Sequence, residues 1–166
     1  MVDNELVRDT LHTWQLQRPD LDFAAMATFL RVAQLMNIAL PSIEAALAPH
    51  GVNSGEFDVL ASLRRGGPKH ELTPSALARV AMVSPAGMTN RLDRLAAAGL
   101  IARRNDPNER RGSLISLTAR GTKVANAAIE AISERQTVLL NPLTKSERTA
   151  LNATLDKLLR AASDPT

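Results

Sequence analysis

SPAGMTNRLDRLAAAGL, residues 84–100, opens as a helix and then leaves its first turn almost bare. Ser84 is a strong N-cap and Pro85 suits the first helical position. Ala86 and Gly87 follow and bury little, and Gly87 costs about 1 kcal/mol of helix stability relative to alanine. At about 100° per residue, Met88, Leu92 and Leu95 cluster within about 60° and make a buried stripe. Ala86, Asn90, Asp93 and Ala97 lie opposite, with Gly87 and Arg94 beside them. A small, polar, outward-facing first turn lets backbone and short side chains press into a DNA major groove. Thr89 and Asn90 are then placed to read base edges, and Arg94 to take a phosphate. An ordinary amphipathic surface helix has the same wheel, so the flanking sequence decides between the two.

Upstream, Thr73 and Pro74 cap a short helix that runs to about Val80. Downstream, Gly99 ends the quoted helix, LIARR reads as a strand, NDPNERRG as a polar turn and SLISL as an alternating strand. A short helix, a tight turn, a second helix and a hairpin make a winged helix-turn-helix, expected over about 54–118. Ser84, Ala86, Gly87, Thr89, Asn90 and Arg94, with Arg110 and Arg111 at the hairpin tip, form the expected DNA-contacting set. The fold class is therefore mainly α, with a two-stranded wing.

The remaining chain reads as helix. One segment covers about 4–16. Another, capped by Asp22, runs towards Ala48 with a kink or break expected at Pro41 and an end at Gly51. Ser54 caps the helix GEFDVLASLRR, Thr118 caps one through about Leu140, and TKSE (144–147) is a capping box opening a last helix to about Ala162. The helices of 4–50 and 119–162 carry stripes, such as Leu139, Leu140, Leu143, Leu151, Leu155, Leu158 and Leu159, larger than one small domain needs. They are expected to make a homodimer within a single domain spanning 1–166.

Composition agrees with that class. Of 166 residues 45% are hydrophobic, enough for a core, while Tyr and Cys are absent and only three Phe and one Trp occur, which disfavours a β-rich protein. Without Cys there is no disulfide framework, thiolate metal site or thiol nucleophile, in keeping with a reducing cytoplasm. The N-terminus is acidic and polar, unlike a signal peptide, and no uninterrupted apolar run suggests a membrane span. His12, His50 and His70 are scattered, HELTP lacks a second His at metal-ligand spacing, and no nucleophile motif occurs, so no catalytic set, metal or cofactor is expected. Net charge is only +3, yet residues 84–123 hold eight Lys/Arg against three acids. That stripe fits a polyanion binder, or equally a solvated arginine-rich face.

SPAGMTNRLDRLAAAGLIARRNDPNERRGSLISLT resembles the recognition helix and wing of the multiple antibiotic resistance regulator (MarR) family of bacterial transcription factors. The resemblance covers about 22–160 and departs at Glu109, where the family's wing usually carries Asp before the two arginines. It implies a homodimeric regulator of double-stranded DNA, most simply a repressor released by a small-molecule effector. PDLDFAAM, GEFDVLASLRRGG and an added N-terminal helix with a Trp further resemble the urate-responsive branch, although ATFLRVAQL stands where that branch more often shows a Gly-Arg pair. By that likeness Trp14, Asp58, Arg91 and Arg103 would bind urate or a similar purine. Arg91 lies on the shoulder of the buried stripe, where it needs a partner, and Asp58 is a candidate. Each residue also has a plainer reading: Trp14 as a helix-docking residue, Asp58 with Arg91 as a structural pair, Arg103 as a phosphate contact. A phenolic acid as effector, or a constitutive architectural DNA binder without effector, are the alternative readings.

Overall fold

The computed structural model describes residues 4–66, 70–107 and 112–163. Its elements run α1 (Asn4–Gln17), α2 (Ala24–Leu47), a 3-10 turn (Ala48–His50), α3 (Ser54–Arg65), α4 (Pro74–Val80), α5 (Pro85–Ala97), β1 (Ile101–Asn105), β2 (Ser113–Leu117), α6 (Ala119–Leu140) and α7 (Lys145–Ser163). The chain forms two compact units, divided between Ser42 and Ile43, inside α2. In the N-terminal unit, Asp22 Oδ1 accepts from the Ala24 amide at 2.8 Å to start α2, and the Trp14 ring lies 6.2 Å from that of Phe23. α2 passes through Pro41 without interruption, so the expected break is absent.

α2 also corrects the reading that no segment approaches a membrane span. Ala24–His50 is by length and composition apolar enough to cross a bilayer, with 6% of its most apolar stretch buried. Its apolar residues are interleaved with Arg31, Gln34, Asn37 and Glu44, so a search for uninterrupted runs passes over it.

The second unit carries the core. Leu47, Val59, Leu60, Leu63, Leu77, Met88, Leu92, Leu95, Ile101 and Ile115 pack with Ala125 and Ala128 of α6. Each helix here starts on a side chain that satisfies its free amides. Thr73 accepts from Ala76, Ser84 from Gly87 and Thr118 from Gly121. α3 differs from expectation: its cap is Asn53, in a reciprocal capping box with Glu56, and Ser54 is the first helical residue. At α7 the expected box is present, with the Thr144 amide donating to Glu147 Oε2 at 2.8 Å and the Glu147 amide to Thr144 Oγ1 at 3.3 Å.

β1 and β2 pair antiparallel from Ile101 opposite Leu117 to Asn105 opposite Ser113. Leu72, ahead of α4, adds a bridge to Ile115, exchanging hydrogen bonds of 3.1 and 2.9 Å. This second short pairing, which no sequence pattern announced, ties the wing to the segment entering α4. The order α3, α4, α5, β1, β2 around one core is a winged helix-turn-helix.

Candidate nucleic-acid interface

α5 is built as its pattern requires. Met88, Leu92 and Leu95 are buried, and Ser84, Ala86, Thr89, Asn90, Asp93 and Arg94 are exposed. The core therefore fixes one stripe of the helix and leaves the bare first turn facing out. Its hydrogen bonding is partly committed. Ser84 Oγ accepts from the Gly87 amide at 3.2 Å, and Thr89 Oγ1 donates to the Pro85 carbonyl at 3.0 Å. Thr89 thus has its methyl group and acceptor lone pairs left to offer. The Asn90 amide has no protein partner among the described residues, so both its donor and its acceptor are open to a base edge.

Three arginines of this region, Arg94, Arg103 and Arg104, are already matched to carboxylates. Arg94 Nε lies 2.9 Å from Glu56 Oε1, the carboxylate that also caps α3. Arg104 forks onto Glu71 at 2.8 and 2.5 Å, and these hydrogen bonds hold the Glu71 carboxyl below its usual range. Arg103 Nη2 lies 2.6 Å from Asp93 Oδ1. The basic stripe counted in the sequence is therefore smaller electrostatically than its arginines suggest, because Glu56 and Glu71, outside the counted window, fold back onto it. Glu56 was legible as the closing residue, three positions on, of a capping box beginning at Asn53; Glu71 had no comparable signal. Arg110 and Arg111 lie outside the described residues; on either side of them the Asp106 amide donates to the Gly112 carbonyl at 3.0 Å.

The four expected ligand residues are distributed unevenly. Arg91, half-buried, donates from Nη1 to the Gly55 carbonyl at 3.1 Å. Gly55 makes room for it, since a Cβ there would come within 2.7 Å of the guanidinium carbon. Asp58, one turn further along α3, feels the Arg91 charge without a hydrogen bond to it. Desolvation pushes its carboxyl above the usual range, outweighing the opposing pull of Arg91 and Arg65. Asp58 also lines a shallow cavity of about 260 Å³ with Phe57, Ala61, Ser62, Arg65 and residues 80–82. Arg91 and Asp58 are thus brought together. Arg103 is not with them, because its partner Asp93 lies about 160° around α5 from Arg91. Trp14 belongs to the N-terminal unit, where it is 46% exposed.

Residues 50–112 match the family model described as MarR family. The chain is 34% identical over 155 residues to the HTH-type transcriptional regulator PecS of Dickeya dadantii, covering 92% of each chain. Among solved structures it is similar to a MarR family transcriptional regulator from Streptomyces coelicolor, with a TM-score of 0.72 and 28% identity over 86% of this chain and 98% of that one. It is also similar to a mutant MarR from Escherichia coli complexed with operator DNA, with a TM-score of 0.71 and 27% identity over 82% and 97% of the two chains.

Proposed function

The chain belongs to the MarR family of transcriptional regulators, and on that premise we propose that it is a homodimeric operator-binding repressor released by a small anionic aromatic ligand such as urate. One observation carries the DNA-binding part: α5 buries Met88, Leu92 and Leu95 and turns the unpartnered Asn90 and the small first turn outward beside the wing. Two such helices in a dimer enter successive major grooves about 34 Å apart. Ser84, Ala86, Gly87, Thr89 and Asn90 meet the groove. Arg94, once it exchanges Glu56 for phosphate, and Arg110 and Arg111 on the wing supply backbone contacts.

Asn90→Ala tests this directly. A duplex enriched by the wild-type protein from a randomised library is compared with its scrambled counterpart by fluorescence anisotropy. Loss of the base contact lowers affinity for the enriched duplex by about 1–3 kcal/mol and leaves the scrambled duplex nearly unchanged, since base contacts specify and phosphate contacts position. Equal losses on both duplexes would remove Asn90 from the readout.

The effector part rests on Arg91 and Asp58 standing together on facing turns of α5 and α3. A planar anion offers Arg91 a better partner than the Gly55 carbonyl and repels the Asp58 carboxylate, which biases α5, the helix that meets the groove. Trp14 and Arg103 enter through sequence resemblance, as a stacking surface and a second cation. A ligand bound only to the folded protein raises its stability by about 2.7 kcal/mol at a hundred times Kd. Millimolar urate is therefore expected to raise the melting temperature and release DNA. Arg91→Ala abolishes both effects, Trp14→Phe weakens binding moderately, and Asp58→Asn retains binding but releases DNA poorly. A melting temperature indifferent to urate would exclude that ligand, and indifference to purines and aromatic acids alike would favour a constitutive architectural DNA binder.

A further inference from the structure

Of the three arginine–carboxylate pairs around α5 and the wing among the described residues, one stands apart. Glu56 and Glu71 are sheltered, with side chains 11% and 25% exposed, and each fastens one element to another. Asp93 and Arg103 are 58% and 40% exposed, so neither burial nor core packing demands their pairing. Ion pairs between exposed side chains add little to stability. What this one decides is where a guanidinium points. Asp93 stands one helical turn after Thr89, on the flank of α5 next to β1, and draws Arg103 at 2.6 Å onto the helix.

We propose that Asp93 is a positioning residue, which keeps Arg103 occupied and so withholds one cation from the sequence-independent grip on DNA. The inference rests on the DNA-binding reading above and extends it. Phosphate contacts bind every sequence alike, whereas base contacts discriminate. A carboxylate that competes with phosphate for Arg103 subtracts from the first without touching the second. It therefore sets affinity and salt dependence on every duplex and leaves the ratio between duplexes to the base contacts.

The test uses Asp93→Asn, Arg103→Ala and the double variant, with the enriched and scrambled duplexes measured across a salt series. Unchanged melting temperatures establish that all three variants fold. One added phosphate contact steepens the salt slope by about one, equivalent to about tenfold in affinity at 0.1 M salt. Asp93→Asn is expected to show that gain on the scrambled and the enriched duplex alike, so that the ratio between them is unchanged. In the Arg103→Ala background the same substitution is expected to leave the slope unsteepened, because there is no arginine to release. The proposal is overturned if Asp93→Asn alters nothing, or if it steepens the slope equally with and without Arg103, since the carboxylate then acts only through its own charge. If the wild-type protein enriches no duplex, the DNA-binding reading fails and takes this inference with it.

Discussion

Removing residues 141–166 is expected to lower affinity for the enriched duplex by about a hundredfold or more, the scale on which a linked pair of sites exceeds a single one. The reason lies in α7. None of its 19 residues is buried, yet Leu151, Leu155, Leu158 and Leu159, spaced to fall along one side of a helix, are 39–66% exposed. α2 repeats the pattern, with Phe29, Val32, Leu35 and Met36 exposed and only Leu47 buried. Stripes of this size on exposed helix faces call for a partner, and a second copy supplies matching stripes. Sedimentation and anisotropy measured together check the expectation. Leu155→Glu with Leu159→Glu, which leaves α7 in place, should split the dimer and weaken binding in the same way. A folded monomeric truncation with undiminished affinity would refute the dimer.

Gly121→Ala is expected to destabilise the chain by about 2–3 kcal/mol, against a helix-propensity gain of about 1 kcal/mol in the other direction. Gly121 lies in the first turn of α6, and a Cβ there would collide with the Leu100 carbonyl oxygen. That oxygen cannot yield freely. It accepts from the Thr118 amide at 3.1 Å and from Thr118 Oγ1 at 3.2 Å, and Thr118 in turn caps α6 through the Gly121 amide at 2.9 Å. Moving Leu100 therefore disturbs the base of the wing and the start of α6 together. For a chain of this length the change is expected to appear as a fall of about 5–10 °C in melting temperature. An unchanged or raised melting temperature would mean that the carbonyl gives way at little cost.

Where the fold was legible in the sequence, local chemistry and burial agreed. The Ser84-Pro85 and Thr73-Pro74 starts, the Met88–Leu92–Leu95 stripe and the SLISL strand, with Ile115 buried, each state a structure that the core then reinforces. Misreadings came where two local rules competed. Asn53 and Ser54 are both good caps, and the reciprocal bond with Glu56 selects Asn53. Pro41 breaks an isolated helix, yet α2 continues through it. The charged site was less legible still, because pairing is a property of tertiary approach. Nothing in the order of residues places Arg103 beside Asp93 in preference to Asp58, or Arg104 beside Glu71 across 33 positions.

The double role of Glu56 has a mechanical consequence. Its Oε2 accepts from the Asn53 amide and its Oε1 holds Arg94, so the first turn of α3 and the last turn of α5 hang on one carboxylate. Gly55, in that same turn, holds Arg91 by its carbonyl. Rolling α5 about its axis consequently tugs on both arginines and frays the start of α3. Solvent exchange of the Glu56 and Phe57 amides, which bond Asn53 at 2.9 and 2.8 Å, then acts as a built-in gauge of recognition-helix rotation, readable without any DNA present.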